Sequence, residues 1–163
     1  MEVIDLKKRF FSLIALTLVF IFILSGCSAN IKIIESDSFK EAAEAANFVV
    51  KDHTEYSDSE TLIAGYYAET DGGHLEYFLF EDVKTTKMVY KNYFDVVDNL
   101  YNQGGAKSAL TINFKNYERL QITKGTPAKY YDAIRVKNMV IFVYADTSEG
   151  ISNVKKLLED LDL

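Results

Sequence analysis

The chain of 163 residues is 48% hydrophobic and 26% charged with a single Pro, a balance that can bury a core, suits one domain and excludes a disordered protein. A formal net charge of -6 and the lack of a basic stripe exclude a nucleic-acid binder, which must displace counterions from phosphates. The lone cysteine, Cys27, excludes an internal disulfide framework.

The amino terminus is organised differently from the rest. Lys7, Lys8 and Arg9 form a basic cluster, and FFSLIALTLVFIFIL then runs 15 residues, Phe10 to Leu24, without a charge. These are the n-region and h-region of a secretory signal. A spanning helix needs about 20 apolar residues to cross a hydrocarbon core of ~30 Å, so the run is short unless residues 25–29 are counted with it. The positive-inside rule keeps the basic cluster in the cytoplasm, and everything after the run is expected to be exported.

The run ends in Leu24-Ser25-Gly26-Cys27, which resembles the lipobox of bacterial lipoproteins. The resemblance implies cleavage between Gly26 and Cys27, a diacylglyceryl group on the Cys27 sulfur, and Cys27 as the first mature residue. The competing readings are an uncleaved anchor with an incidental cysteine and a buried core thiol; the polar, turn-like SGCSAN speaks against the latter. Two acyl chains, at about 0.8 kcal/mol per buried methylene, hold a protein stably where one does not. The partner implied is therefore the membrane, through diacylglyceryl-Cys27, and the location is the outer face of the cell membrane. A Lys-, Asn-, Ile- and Tyr-rich composition is similar to that of small lipoproteins of low-GC Gram-positive bacteria; this implies anchoring and no activity. The expected division is a signal peptide over 1–26, a lipidated tether over 27–37 and a single domain over 38–163.

Within that domain, Ser38 offers an N-cap with Glu41 as capping-box partner, and Phe39, Ala42, Ala43 and Ala46 recur at helical spacing, which predicts a helix over 39–47. FVVKDHT reads as a strand. LIAGYYAE (62–69) and HLEYFLFE (74–81) are strands joined by the hairpin signal TDGG. Both faces of the second are largely apolar. Asp82 then caps a helix whose stripe runs through Val83, Lys87, Tyr90, Phe94, Val97 and Tyr101 and stops at Gly104-Gly105. SALTINF (108–114), YERLQITK (117–124), KYYDAIRVK (129–137) and MVIFVYA (139–145) read as strands, with Pro127 as a break. Asp146 and Glu149 resemble a capping box for a last helix carrying Ile151, Val154, Leu157, Leu158 and Leu161. Short connections favour an α+β, two-layer fold: a mainly antiparallel sheet with helices on one face. The second hairpin plus helix matches the first in order, so a hairpin-plus-helix pseudo-repeat competes with the commonness of that unit.

Chemistry is sparse. His53 lies among Asp52, Glu55, Asp58 and Glu60, hard oxygen ligands for a divalent ion, but at neither EF-hand nor H-E-x-x-H spacing, and a solvated acidic loop explains the same letters. His74 has no second ligand at metal spacing. No nucleophile elbow, P-loop or dinucleotide fingerprint occurs. No catalytic residue, metal ligand or cofactor is assigned. The 11 tyrosines all fall between 56 and 144, and the pairs Tyr66-Tyr67 and Tyr130-Tyr131 put one ring on each strand face. Such rings can form a recognition surface for a peptide, a glycan or an envelope protein; they also suit half-exposed strand positions by propensity alone. The reading is a non-enzymatic, lipid-anchored binding or interaction module. Its alternatives are a metal-dependent or hydrolytic envelope enzyme built on the His53 loop and a structural accessory subunit of an envelope complex.

Overall fold

HLEYFLFE, apolar on both faces, lies in the middle of the sheet. The structure, a computed structural model, describes residues 32–56 and 59–163. In chain order they form α1 (Ser36–Ala45), β1 (Val49–Asp52), a 3-10 turn (Thr54–Tyr56), β2 (Leu62–Thr70), β3 (Gly73–Phe80) and α2 (Val83–Asn102). Then follow β4 (Ala106–Phe114), β5 (Tyr117–Lys124), β6 (Lys129–Val136), β7 (Met139–Ala145) and α3 (Ser148–Asp160). The seven strands make one sheet in the order β1-β2-β3-β7-β6-β5-β4, antiparallel at every pairing. The α+β class, the antiparallel sheet and the element order are those the sequence predicts.

The placement of the helices is different. β3 and β7 pair at the centre, with Leu75 opposite Val143 and Tyr77 opposite Ile141. Their side chains at these positions pack with Phe39 and Ala43 of α1 and Val154, Leu157 and Leu158 of α3. On the other face, Phe78, Phe80, Val140 and Phe142 pack with Tyr90 and Val97 of α2. Helices therefore cover both faces, where one face is expected from the sequence. A central strand buried on both sides demands this: covering one face alone would leave the alternate rings in water.

The same arrangement limits the pseudo-repeat. Hairpins β2–β3 and β6–β7 flank a local dyad normal to the sheet between Glu76 and Phe142. Such an axis would carry α2 onto the face it already occupies, whereas α3 lies on the opposite one. The match in element order therefore does not carry over to the placement of the helices.

Two boundaries shift. α1 starts at Ser36, with Glu35 at its N-cap and no side-chain cap, so Ser38 is inside the helix. The chain before it is fixed rather than a free tether from 32 onward: Ile33 and Ile34 pack on the core, and the Tyr77 hydroxyl donates to the Ile34 carbonyl at 2.7 Å. At α3 the cap is Thr147, whose Oγ1 accepts from Gly150 N at 2.9 Å, while Asp146 instead accepts from the Tyr144 hydroxyl. Asp82 caps α2 as expected, accepting from Thr85 N at 2.8 Å.

Candidate functional site

α2 spans β3, β7, β6 and β5 on its face, so β1 and β2, at one side of the sheet, are left without a helix there. Alternation along the strands brings an aromatic strip to the margin of α2. Tyr67 of β2 lies under the His53 ring, stacked at 4.0 Å between centroids, and meets the His74 ring edge-on at 5.6 Å. His74 of β3 is opposite Tyr144 of β7, and Tyr144 is opposite Tyr131 of β6, with ring centroids of the two tyrosines 5.2 Å apart. Four strands at ~4.8 Å spacing make the strip about 14 Å wide.

Two of its polar tips, those of Tyr144 and His74, meet carboxylates. The Tyr144 hydroxyl donates to Asp146 at 2.9 Å; burial and that carboxylate push its phenol up to about 12. Burial, with Glu76 close by, raises Tyr67, and burial with Asp146 raises Tyr131. His74 lies between Glu76, 3.1 Å from its Nε2, and Glu69, 3.7 Å from its Nδ1. Glu76 also accepts from the Tyr93 hydroxyl of α2 at 2.5 Å, which anchors the strip to the helix. Lys51 meets Glu69 at 2.5 Å and holds that carboxyl below its usual range. All these phenols stay protonated at neutral pH, so the strip offers flat apolar faces with hydrogen-bonding tips and no activated nucleophile.

Of the four tyrosines singled out in the sequence, Tyr67 and Tyr131 lie on this strip. Tyr66 is on the opposite face, half-buried beside Phe39 and Tyr77 at 6.4 and 6.1 Å. Tyr130 is buried there and cannot belong to an accessible surface: its hydroxyl donates to Asp132 at 2.7 Å, and Lys155 lies 5.0 Å from its ring centre. The strip's other members were not legible. Tyr144 follows from the apolar alternation of β7 once its faces are known, but His53 reaches Tyr67 only through a turn with no periodicity. Gly26 and Cys27, and Asp58 of the acidic loop, lie outside the described residues. Among the described residues no group of three or more His, Cys, Asp or Glu is placed to hold a metal ion, and no helix is long and apolar enough to cross a membrane.

A second polar cluster lies on the α3 face. Arg119 of β5 donates through Nε and Nη2 to Asp132 of β6, the shortest contact being 2.5 Å. Arg119 lines a cleft of about 470 Å³ whose wall includes Gln121, Lys155 and Glu159, with Asp132 beneath it. Asp132 is 0% exposed. Burial pushes its carboxyl up, and the bonds from Arg119 and Tyr130 oppose that shift. Every buried side-chain polar atom among the described residues has a partner, so this cluster is saturated by its own bonds.

No protein-family model matches the chain, and no curated protein does. Among solved structures, a GTP binding regulator from Thermotoga maritima is similar at 17% identity and a TM-score of 0.40, over 78% of this chain and 89% of that one.

Proposed function

We propose that the protein is a lipid-anchored, extracytoplasmic interaction module, without catalytic activity, that holds a peptide, glycan or envelope protein against the strip of His53, Tyr67, His74, Tyr144 and Tyr131. The observation that carries this reading is the strip itself: His74, Tyr144 and Tyr131 in register across three strands with Tyr67 and His53 beside them at the margin of α2, and with the Tyr144 and His74 tips held by neighbouring carboxylates. Rings held in this way lose little freedom on binding, which favours recognition over a chance scatter of tyrosines. The basic cluster, apolar run and LSGC sequence support the anchor.

Photo-crosslinking tests the surface. A crosslinker at Tyr67 or Tyr131 should give discrete adducts in intact membranes, one at the exposed Met88 of α2 should not, and Tyr67→Ser with Tyr144→Ser should abolish capture from position 131. Identical adducts from all three positions would remove the strip from consideration. The anchor is tested separately by the intact mass of the membrane-extracted protein, which should correspond to residues 27–163 plus a diacylglyceryl group. An unmodified full-length mass contradicts it.

A further inference from the structure

A sheet edge presents a row of unpaired N–H and C=O groups, and proteins that remain apart blunt it by making it short, charged or bulged. The two edges here differ in this respect. β1 has four residues, two of them Lys51 and Asp52. β4 has nine, AKSALTINF, with Lys107 as its one charge. Its irregularity is confined to the start, between Ala106 and Ser108, so that 108–114 runs in regular register with β5. Leu110 and Phe114 on this edge are 44% and 69% exposed.

We propose that β4 is an interface between two copies of this chain, paired antiparallel about a two-fold axis through Leu110. Three features select a second copy as the occupant. The stretch from Asn99 to Tyr117 contains no Asp or Glu in a chain with a net charge of -6, so this edge is where two copies repel each other least. The pattern is also self-complementary: Leu110 meets Leu110 of the second copy, Ser108 meets Ile112, and Ala109 meets Thr111. Lys107 then lies near the neutral Asn113. Finally, moving the axis to Thr111 would place Lys107 opposite Lys115, a like-charge pair that disfavours the alternative register. A closed two-fold contact of this kind consumes both edges and stops at two copies. With about seven residues on each side it belongs to the small, concentration-dependent class of interfaces.

The full-length chain in density-matched detergent, followed by sedimentation velocity from about 1 to about 500 μM, tests the proposal. The wild type should pass from monomer to dimer within that range. Leu110→Lys puts two ammonium groups opposite each other at an exposed position and should weaken the dimer roughly tenfold. Asn113→Glu sets a carboxylate beside Lys107 and should tighten it by a factor of about three. Far-UV circular dichroism identifies any variant that fails to fold, and if Leu110→Lys does, the Asn113→Glu shift decides. A wild type monomeric at every concentration, as expected if the edge takes an extended peptide instead, overturns the proposal. So does a dimer that neither substitution shifts, which would point to contact elsewhere on the chain.

Discussion

The two faces of the sheet are covered by different means. On one, α1 and α3 pack over β1, β2, β3 and β7, and α3 approaches so closely that a Cβ on Gly150 would lie 2.0 Å from the Gly72 carbonyl oxygen. On the other, the single helix α2 spans four strands through large rings, Tyr90, Tyr93 and Phe94, and leaves the aromatic strip open beside it. The ion pairs of β5 and β6 follow the same division with the charges exchanged. On the α3 face the acid, Asp132, is wholly buried and Arg119 is 12% exposed; on the α2 face Arg135 is wholly buried and Glu118 is 22% exposed. Close backbone contact thus stabilises one face, while large side chains stabilise the other.

Glycine substitutions break this contrast most strongly. Gly150→Ala drives a methyl group into the backbone of Gly72 and Gly73, which cannot yield without unseating α3 from the β2–β3 turn. The expected loss is about 4 kcal/mol or more, read as a fall in urea midpoint at unchanged slope. Gly65→Ala on the α2 face meets only the Leu62 side chain at 3.3 Å and the Phe78 ring at 3.4 Å. Those atoms can shift, and a strand alanine restricts the unfolded chain, so the change should stay within about 1 kcal/mol. Equal losses at the two positions would contradict the difference between the faces.

The arginine pairs come next in size. Arg119→Met leaves Asp132 buried without its guanidinium, with the Tyr130 hydroxyl as a hydrogen-bond donor, and should cost about 3 kcal/mol at neutral pH. The Asp132 carboxyl is already raised above its ordinary 3.8 by burial, and losing Arg119 raises it further. A carboxyl whose folded value exceeds its unfolded value binds its proton more tightly in the fold. Stability is then greatest with the group protonated and falls as pH rises from the unfolded value through the folded one. The penalty of Arg119→Met should therefore be smaller near pH 4 than near pH 7. Arg135→Met instead leaves Glu118, which is in contact with water, and frees the carbonyls of Lys115 and Lys137. It should cost about 2 kcal/mol, with little change between roughly pH 5 and 8. Parallel pH profiles for the two variants would show that the buried acid and the buried base are equivalent after all.

These pairs also mark how far the sequence could be read. Periodicity identifies what is buried: YERLQITK and MVIFVYA have the boundaries of β5 and β7, and Val154, Leu157 and Leu158 turn inward as their spacing predicts. It does not say on which side. β3 and β7 are apolar on both faces, so nothing local sends α2 one way and α3 the other, and the choice of Tyr67 and Tyr131 over Tyr66 and Tyr130 depends on that long-range decision. The charges carry a signal of their own. Asp132 and Arg135 interrupt an otherwise apolar central strand, and Glu118 and Arg119 supply the opposite charges on its neighbour, as a buried pair on each face requires.

The helix caps give the smallest and most selective contrast. Thr147 caps α3 with a hydroxyl, and Thr147→Ala should cost about 1 kcal/mol at any pH from roughly 3 to 8. Asp82 caps α2 with a carboxylate held below its ordinary 3.8 by the bond from the Thr85 amide. A depressed folded value means that this stabilisation is complete above the unfolded value and is lost as pH falls through the folded one. Asp82→Ala should consequently destabilise the protein at neutral pH and progressively less in acid, while the Thr147→Ala penalty remains level. Thermal melts of the two variants against the wild type across that pH range measure both. A cost for Asp82→Ala that did not shrink in acid would mean that α2 starts through packing against the sheet and not through its charged cap.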